Sequence, residues 1–391
     1  MITVQEALDI IEENTCLLPS ITIPITQALG YVTASNSKAP ISMPPFRQSS
    51  MDGYALKLST TDTYAVLGEV QAGSTQTIAL QEGEAVRIFT GAPVPETADT
   101  VVMQEHTTVD EDTITLTKRP EIHSNVRPLG EQLKEGEIAL SKGTLLNAAG
   151  LGFLAGLGIA EVSVYQKPRV SILLTGDELQ QPGTPLRYGQ VYDSNSVTLK
   201  GALDTMGISK INIDYVPDNY QATLDCIKEH LANADVVLIS GGISVGDYDF
   251  VKEALIENGV TEHFYKVNQK PGKPLWFGKK GATTVFALPG NPASSLTCFY
   301  VYVLPALRKM MGYNNTHLQK NTAHITLDFT NRFGKTLFLK GTVTDGQATP
   351  LLGQASSMLK SFALSNALLV IPETVGEIKK GETISYLDLN G

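Results

Sequence analysis

Residues 235–250 read DVVLISGGISVGDYDF, an apolar run that passes directly into a glycine-rich bend and then into Asp247 and Asp249. Val236, Val237, Leu238 and Ile239 show no polar alternation, which fits a strand buried on both faces and therefore a parallel sheet. The bend then falls at the strand's carboxyl end. Gly241 and Gly242 permit positive φ and close ligand approach, and Ser244 can cap the following turn, so N–H groups of this loop, which also holds Gly246, converge on an anion. The spacing is neither GxxxxGK[ST] nor GxGxxG. Asp247 and Asp249 would repel a bare phosphate, and a divalent cation bridging carboxylate and phosphate oxygens removes that conflict. The plainer alternative is a tight strand-to-helix turn with an aspartate cap.

The same grammar extends on both sides of the loop. From residue 167 the chain reads RVSILLTG, the helical VTLKGALDTMG, INIDYV, a helix through Leu224 and Ile227, DVVLIS and VKEALIENG. Strand and helix alternate, which predicts right-handed crossovers and a parallel sheet covered on both faces. Ligands of such sheets bind at the carboxyl ends of the strands. The polar clusters fall there: TGDEL with Glu178 after the first strand, PDN with Asp218 after the second, GGISVGDYD after the third. Downstream, KVNQKPGKPLWFG brings Lys266, Lys270 and Lys273 close together on a backbone stiffened by Pro271 and Pro274, an arrangement suited to a small oxyanion. In LPGNP, Pro289 fixes φ and Pro292 suits the first turn of the apolar helix near 294–311.

Outside that region the pattern changes. Thr3 and Glu6 form a capping box before the helical spacing of Val4, Ala7, Leu8 and Ile11. Residues 41–139 lose helical periodicity and read as short strands broken by Pro, Gly and Asp, an inserted β module. After the helix near 294–311, HITLDF, TLFLKGTV and ALLVIP return to strands and form a small β domain. The expected division is a segmented linker domain at 1–40 and 140–166, an inserted β domain at 41–139, an α/β domain at 167–313 and a C-terminal β domain at 314–391.

A chain of 391 residues with 42% hydrophobic content supports several cores. Its net charge of −10 argues against nonspecific nucleic-acid or anionic-membrane binding, so an anionic ligand must be held locally. Cys16, Cys226 and Cys298 are scattered without CxxC spacing, which fits a reducing, cytoplasmic setting and gives no zinc signature. No apolar run approaches the roughly 20 residues that span a bilayer.

Taken together, MDGYA (51–55), RIFTGAPVP (87–95), TGDEL, GGISVGDYDF, KPGKP and LPGNP resemble the molybdopterin molybdenumtransferases, including the E domain of gephyrin, over nearly the whole chain. The resemblance implies a multidomain α/β plus β fold: a central parallel-sheet domain of the molybdopterin-binding type, an inserted β domain, a segmented linker domain and a C-terminal β barrel, in an elongated homodimer. The implied reaction inserts molybdate into the dithiolene of adenylyl-molybdopterin, cleaves the adenylyl pyrophosphate and releases AMP and molybdenum cofactor, with Mg²⁺ as helper and transfer partners in the same pathway. It places Asp249, Asp218 and Glu178 around phosphates and metal, with Asp249 and Asp218 as ligands. Lys270, Lys273 and Ser356 fall near the molybdate, and Asp52 and Thr90 in the inserted domain, facing the partner subunit's cleft. Two positions depart from the pattern: Gln132 stands where Asp is usual and Lys340 where Arg is usual. Gln loses the charge and Lys loses the planar fork. A noncatalytic scaffold on the same fold and a molybdopterin adenylyltransferase are the competing readings.

Overall fold

The computed structural model describes residues 1–243 and 250–390. The stretch that opens the sequence reading is the strand Val236–Ser240, buried along its whole length. Its side chains alternate between two cores. Val236 and Leu238 join Val170, Ile172, Phe286 and Leu288 beneath Leu199 and Leu203. Val237 and Ile239 join Leu173, Val285 and Ala287 beneath Ile227, Leu231 and Leu255. Both faces are thus covered by helices, as an uninterrupted apolar strand requires.

The sheet has six strands in the order Ile211–Val216, Val170–Thr175, Val236–Ser240, Thr283–Leu288, Trp276–Lys280, Thr261–Tyr265. The first four run parallel. Trp276–Lys280 runs antiparallel to both its neighbours, so that Thr261–Tyr265 again has the direction of the first four, a departure from the wholly parallel expectation. The cause is local: Gly281, at φ 58°, turns Trp276–Lys280 directly back into Thr283–Leu288 with no helix between them. The expected long helix is also interrupted, running as Pro292–Cys298, a wider π turn at Phe299–Val303, then Leu304–Met310. Pro305 sits in the first turn of the last piece, where its missing N–H breaks the regular ladder.

The first helix, Val4–Asn14, carries the expected capping box, and its Ala7 and Ile11 pack into the α/β core. The chain then leaves and returns, for Ser20–Pro24 pairs antiparallel with Glu161–Tyr165 and Ser37–Lys38 with Ile138–Leu140. Between these pairings lies a six-stranded sheet ordered Thr100–Met103, Gly53–Leu56, Glu84–Ile88, Thr63–Val70, Thr113–Leu116, Thr107–Asp110. At the other end of the chain, Thr336–Thr344, Gln347–Pro350, Lys320–Ile325, Thr383–Asp388 and Ala367–Ile371 close into a barrel, because Thr336–Thr344 also pairs with Ala367–Ile371. Closure removes the sheet edges. Among the described residues no helix is long and apolar enough to cross a membrane.

Gly53 of MDGYA shows why that motif needs glycine. A Cβ there would overlap the carbonyl of Val102 on the adjacent strand Thr100–Met103. Gly53→Ala is expected to destabilise the protein by about 1–3 kcal/mol through this overlap. A lower midpoint in urea unfolding checks it, and an unchanged midpoint would show that the two strands separate without cost.

Candidate functional site

The carboxyl ends of the parallel strands open into a cleft of about 680 Å³, lined among others by Thr175, Glu178, Asn195, Asp218, Gly241 and Gly242. A second cleft of about 420 Å³ adjoins it, with Lys270, Lys273, Ser294, Gln354 and Ser356 in its walls. Pro274, Pro289 and Asn291 border both, so the two form one continuous depression. Pro292 lines the larger part.

Glycine is required at the floor of the larger cleft. Gly241 and Gly242 have φ of 100° and 64°, and a Cβ on either would press on Thr175 Oγ1. The rim carboxylates are held through their loops. Asp218 N–H donates to Asp177 Oδ1 at 3.1 Å and Asp177 N–H to Asp218 Oδ2 at 3.4 Å, which locks the ends of two strands together. Glu178 is exposed at the same rim. Ser244, Gly246, Asp247 and Asp249 lie outside the described residues. Among the described residues no three metal-ligating side chains converge.

The lysines behave differently from one another. Lys270 and Lys273 reach the smaller cleft, with the Lys270 ammonium 3.5 Å from the centroid of the Phe333 ring. Lys266 stands apart from them, at φ 72° with its ammonium 4.4 Å from the Tyr265 ring centroid. Lys340 requires a correction. It is 1% exposed, and its ammonium donates to the carbonyls of Gly353, Ala355 and Met358 at 2.9, 3.1 and 3.1 Å. An ammonium has three donors, so none is left for an oxyanion. Burial lowers its pKa from the ordinary lysine value.

Asp52 and Thr90 meet as a pair on the separate six-stranded sheet. Asp52 Oδ1 accepts from Thr90 N–H at 2.7 Å and Oγ1–H at 2.8 Å. These bonds, the backbone one first, hold the Asp52 carboxyl below its ordinary pKa. The link is therefore intact at neutral pH and loosens only as pH falls through that lowered value. Gln132 is exposed, and its N–H donates to the carbonyl of Met43 at 3.0 Å.

Sequence reasoning passed over Asn195. Its Nδ2 donates to Ser240 Oγ at 2.8 Å and to the Gly290 carbonyl at 2.7 Å, while its Oδ1 is buried with no partner among the described residues. One amide thus joins the start of Asn195–Thr205, the end of Val236–Ser240 and the LPGNP loop at the cleft. The neighbouring Asp193 is buried and accepts from Ser196 N–H at 3.0 Å, from Ser196 Oγ and from Tyr215 OH at 2.9 Å. The available signal was DSNS ahead of an apolar helical run, a pattern suited to a helix start.

Fold and clefts together define a multidomain protein built around an α/β module of the molybdopterin-binding class. The description "MoeA N-terminal region (domain I and II)" matches residues 2–158, "Probable molybdopterin binding domain" 171–309 and "MoeA C-terminal region (domain IV)" 322–389. A molybdopterin molybdenumtransferase of Haemophilus influenzae is 36% identical over 94% of this chain and 93% of its own. Molybdopterin molybdenumtransferase 2 of Mycobacterium tuberculosis is 34% identical over 100% of both. The crystal structure of a molybdopterin biosynthesis moeA protein from Pyrococcus horikoshii superposes with a TM-score of 0.86 at 28% identity, covering 100% of both chains. The chain belongs to the molybdopterin molybdenumtransferase family, and so to a family of transferases.

Asn195→Ala is expected to cost about 1–2 kcal/mol, because it removes two hydrogen bonds, one of them part-buried, and unties three segments at once. Thermal unfolding reads the loss. Stability equal to that of the parent chain would show that these loops hold their places without the amide.

Proposed function

We propose that this chain inserts molybdate into the dithiolene of adenylyl-molybdopterin, with cleavage of the adenylyl pyrophosphate and release of AMP and molybdenum cofactor. One observation carries the reading: a glycine-floored, carboxylate-rimmed cleft adjoins a lysine-lined one, with shared walls. The larger cleft suits phosphates approached by backbone N–H groups, and the smaller suits a tetrahedral oxyanion beside ammonium groups. The two reactants would then lie side by side, as the transfer of one into the other demands.

Asp218 and Glu178 share the larger cleft, a donor set that fits Mg²⁺, which binds through one or two carboxylates and completes its shell with water and phosphate oxygens. Asp218 and Asp249 are the proposed ligands, and the ion supplies neutralisation of pyrophosphate charge. The chain's own groups orient the phosphates: Gly241 and Gly242 allow close backbone approach, and the reciprocal Asp177–Asp218 bonds fix the rim. Asp52 and Thr90 lie on the separate inserted sheet and line neither cleft, which supports a homodimer in which that sheet faces the partner subunit's cleft. A cytoplasmic setting accords with three free, scattered cysteines. The same reading divides the chain at 1–40 with 140–166, 41–139, 167–313 and 314–391.

Incubation with adenylyl-molybdopterin, Mg²⁺ and molybdate should release AMP faster when molybdate is present. Release indifferent to molybdate would overturn the reading, as would consumption of ATP to make the adenylylated pterin. Lys270→Ala with Lys273→Ala should raise the molybdate concentration for half-maximal AMP release by roughly tenfold or more. Asp218→Asn should instead lower turnover, by roughly tenfold or more, with a smaller loss of substrate binding. A normal turnover at limiting Mg²⁺ would remove Asp218 from the metal's shell.

A further inference from the structure

The barrel strand Thr336–Thr344 and the segment 351–358 are tied together by an unusual set of polar contacts. Lys340 N–H donates to Gln354 Oε1 at 3.0 Å, and Gln354 Nε2 returns bonds to the carbonyls of Lys340 at 2.8 Å and Leu351 at 2.7 Å. The Lys340 ammonium then closes on the carbonyls of Gly353, Ala355 and Met358 from within the protein. This encircled segment reaches across to the α/β domain. The Ser356 carbonyl accepts from the N–H groups of both Ala293 and Ser294, at 3.0 and 3.3 Å. It thereby satisfies first-turn donors of the helix that starts at Pro292, which no side chain caps. Ser356 also lines the smaller cleft and Ser357 the larger.

We propose that Lys340 is a positioning residue for the oxyanion cleft: by gathering three carbonyls of the 353–358 segment it sets the wall that carries Ser356 and Ser357 and that caps the cleft helix. It acts on the site through that wall and not by touching the ligand. The catalytic consequence rests on the molybdate reading of the smaller cleft, whereas the clasp is a property of the unliganded chain. A tetrahedral ammonium suits this task, since its three N–H bonds diverge toward three carbonyls, and a planar guanidinium would direct its donors into one plane. Lys340→Met keeps much of the side chain's volume and removes every side-chain donor, leaving the Gly353 and Met358 carbonyls to Ser361 Oγ and the Ala355 carbonyl to the Met358 N–H.

Hydrogen exchange of the whole protein and molybdate-dependent AMP release together test the proposal. In Lys340→Met, amides of 353–358 and, in particular, those of Ala293 and Ser294 should exchange at least roughly tenfold faster. The half-saturating molybdate concentration should rise several-fold, on the order of a lost hydrogen bond or two, with the maximal rate nearly unchanged. Lys340→Arg should restore the protection only in part. Unaltered exchange at Ala293 and Ser294 in a folded Lys340→Met protein would overturn the clasp. Faster exchange with an unaltered molybdate response would overturn the positioning role, and the doubly substituted Lys270→Ala, Lys273→Ala protein then tells whether the cleft reading survives: a raised molybdate requirement there keeps it, an unchanged one removes it. Should Lys340→Met fail to fold, Lys340→Gln, whose amide has two N–H donors where the ammonium has three, takes its place. A folded Lys340→Gln protein with parental exchange at residues 293 and 294 would equally overturn the clasp.

Discussion

The two-residue strand Gln269–Lys270 leaves the α/β domain and pairs in parallel with Thr336 and Leu337 of the barrel. Much of the rest depends on that junction. The lysine-lined cleft exists only where the loop after this strand meets the barrel's 351–358 segment, so neither domain could form it alone. The junction is polar yet dry. Gln269 is fully buried, and its Nε2 donates to the carbonyls of Pro271 and Gly272 at 3.0 and 3.1 Å while its Oε1 accepts from Tyr302 OH. Every polar atom of that side chain is engaged, as burial demands. Tyr302 stands in the π turn of the cleft helix, so one side-chain amide binds the lysine loop to the helix, on a residue that itself pairs with the barrel strand.

A consequence is that the smaller cleft is framed largely by backbone. Gly272, at φ 82°, has no room for a Cβ between Cys298 and Gln269, and Ser356 presents its carbonyl to the helix. The positive charge in the cleft comes from Lys270 and Lys273 on the α/β side and from Lys335 ahead of the barrel strand, while Lys340 is turned inward. An incoming anion would meet lysines from both domains and, between them, a shaped main chain.

Much of this was legible from residue order. The apolar runs at 172–174 and 236–239 gave buried parallel strands because neither shows the polar alternation of a face in water. The capping box at Thr3 and Glu6 formed as local chemistry dictates. Clustering of polar loops at strand ends placed Glu178, Asp218, Gly241 and Gly242 in one cleft, since parallel connectivity puts every such loop at one edge. The reversal of Trp276–Lys280 was not legible in this way, because only the turn at Gly281 sends that strand back into Thr283–Leu288.

Sequence by itself thus determined what local periodicity, capping and chain order can encode: which segments are strands, which faces are apolar, and which loops share an edge. Tertiary structure decided the direction of individual polar side chains. Lys340 and Lys270 are both lysines on strands, in segments expected to face an oxyanion, yet one ammonium is enclosed by three carbonyls and the other reaches the cleft beside Phe333. The carbonyls that enclose Lys340 belong to a segment more than a dozen residues away along the chain, at 353, 355 and 358. Asn195 is the same case, because its partners at Ser240 and Gly290 come near only after the sheet has assembled. A long polar side chain takes its direction from whichever buried acceptors or donors lack partners, and those are fixed by contacts between segments distant in sequence.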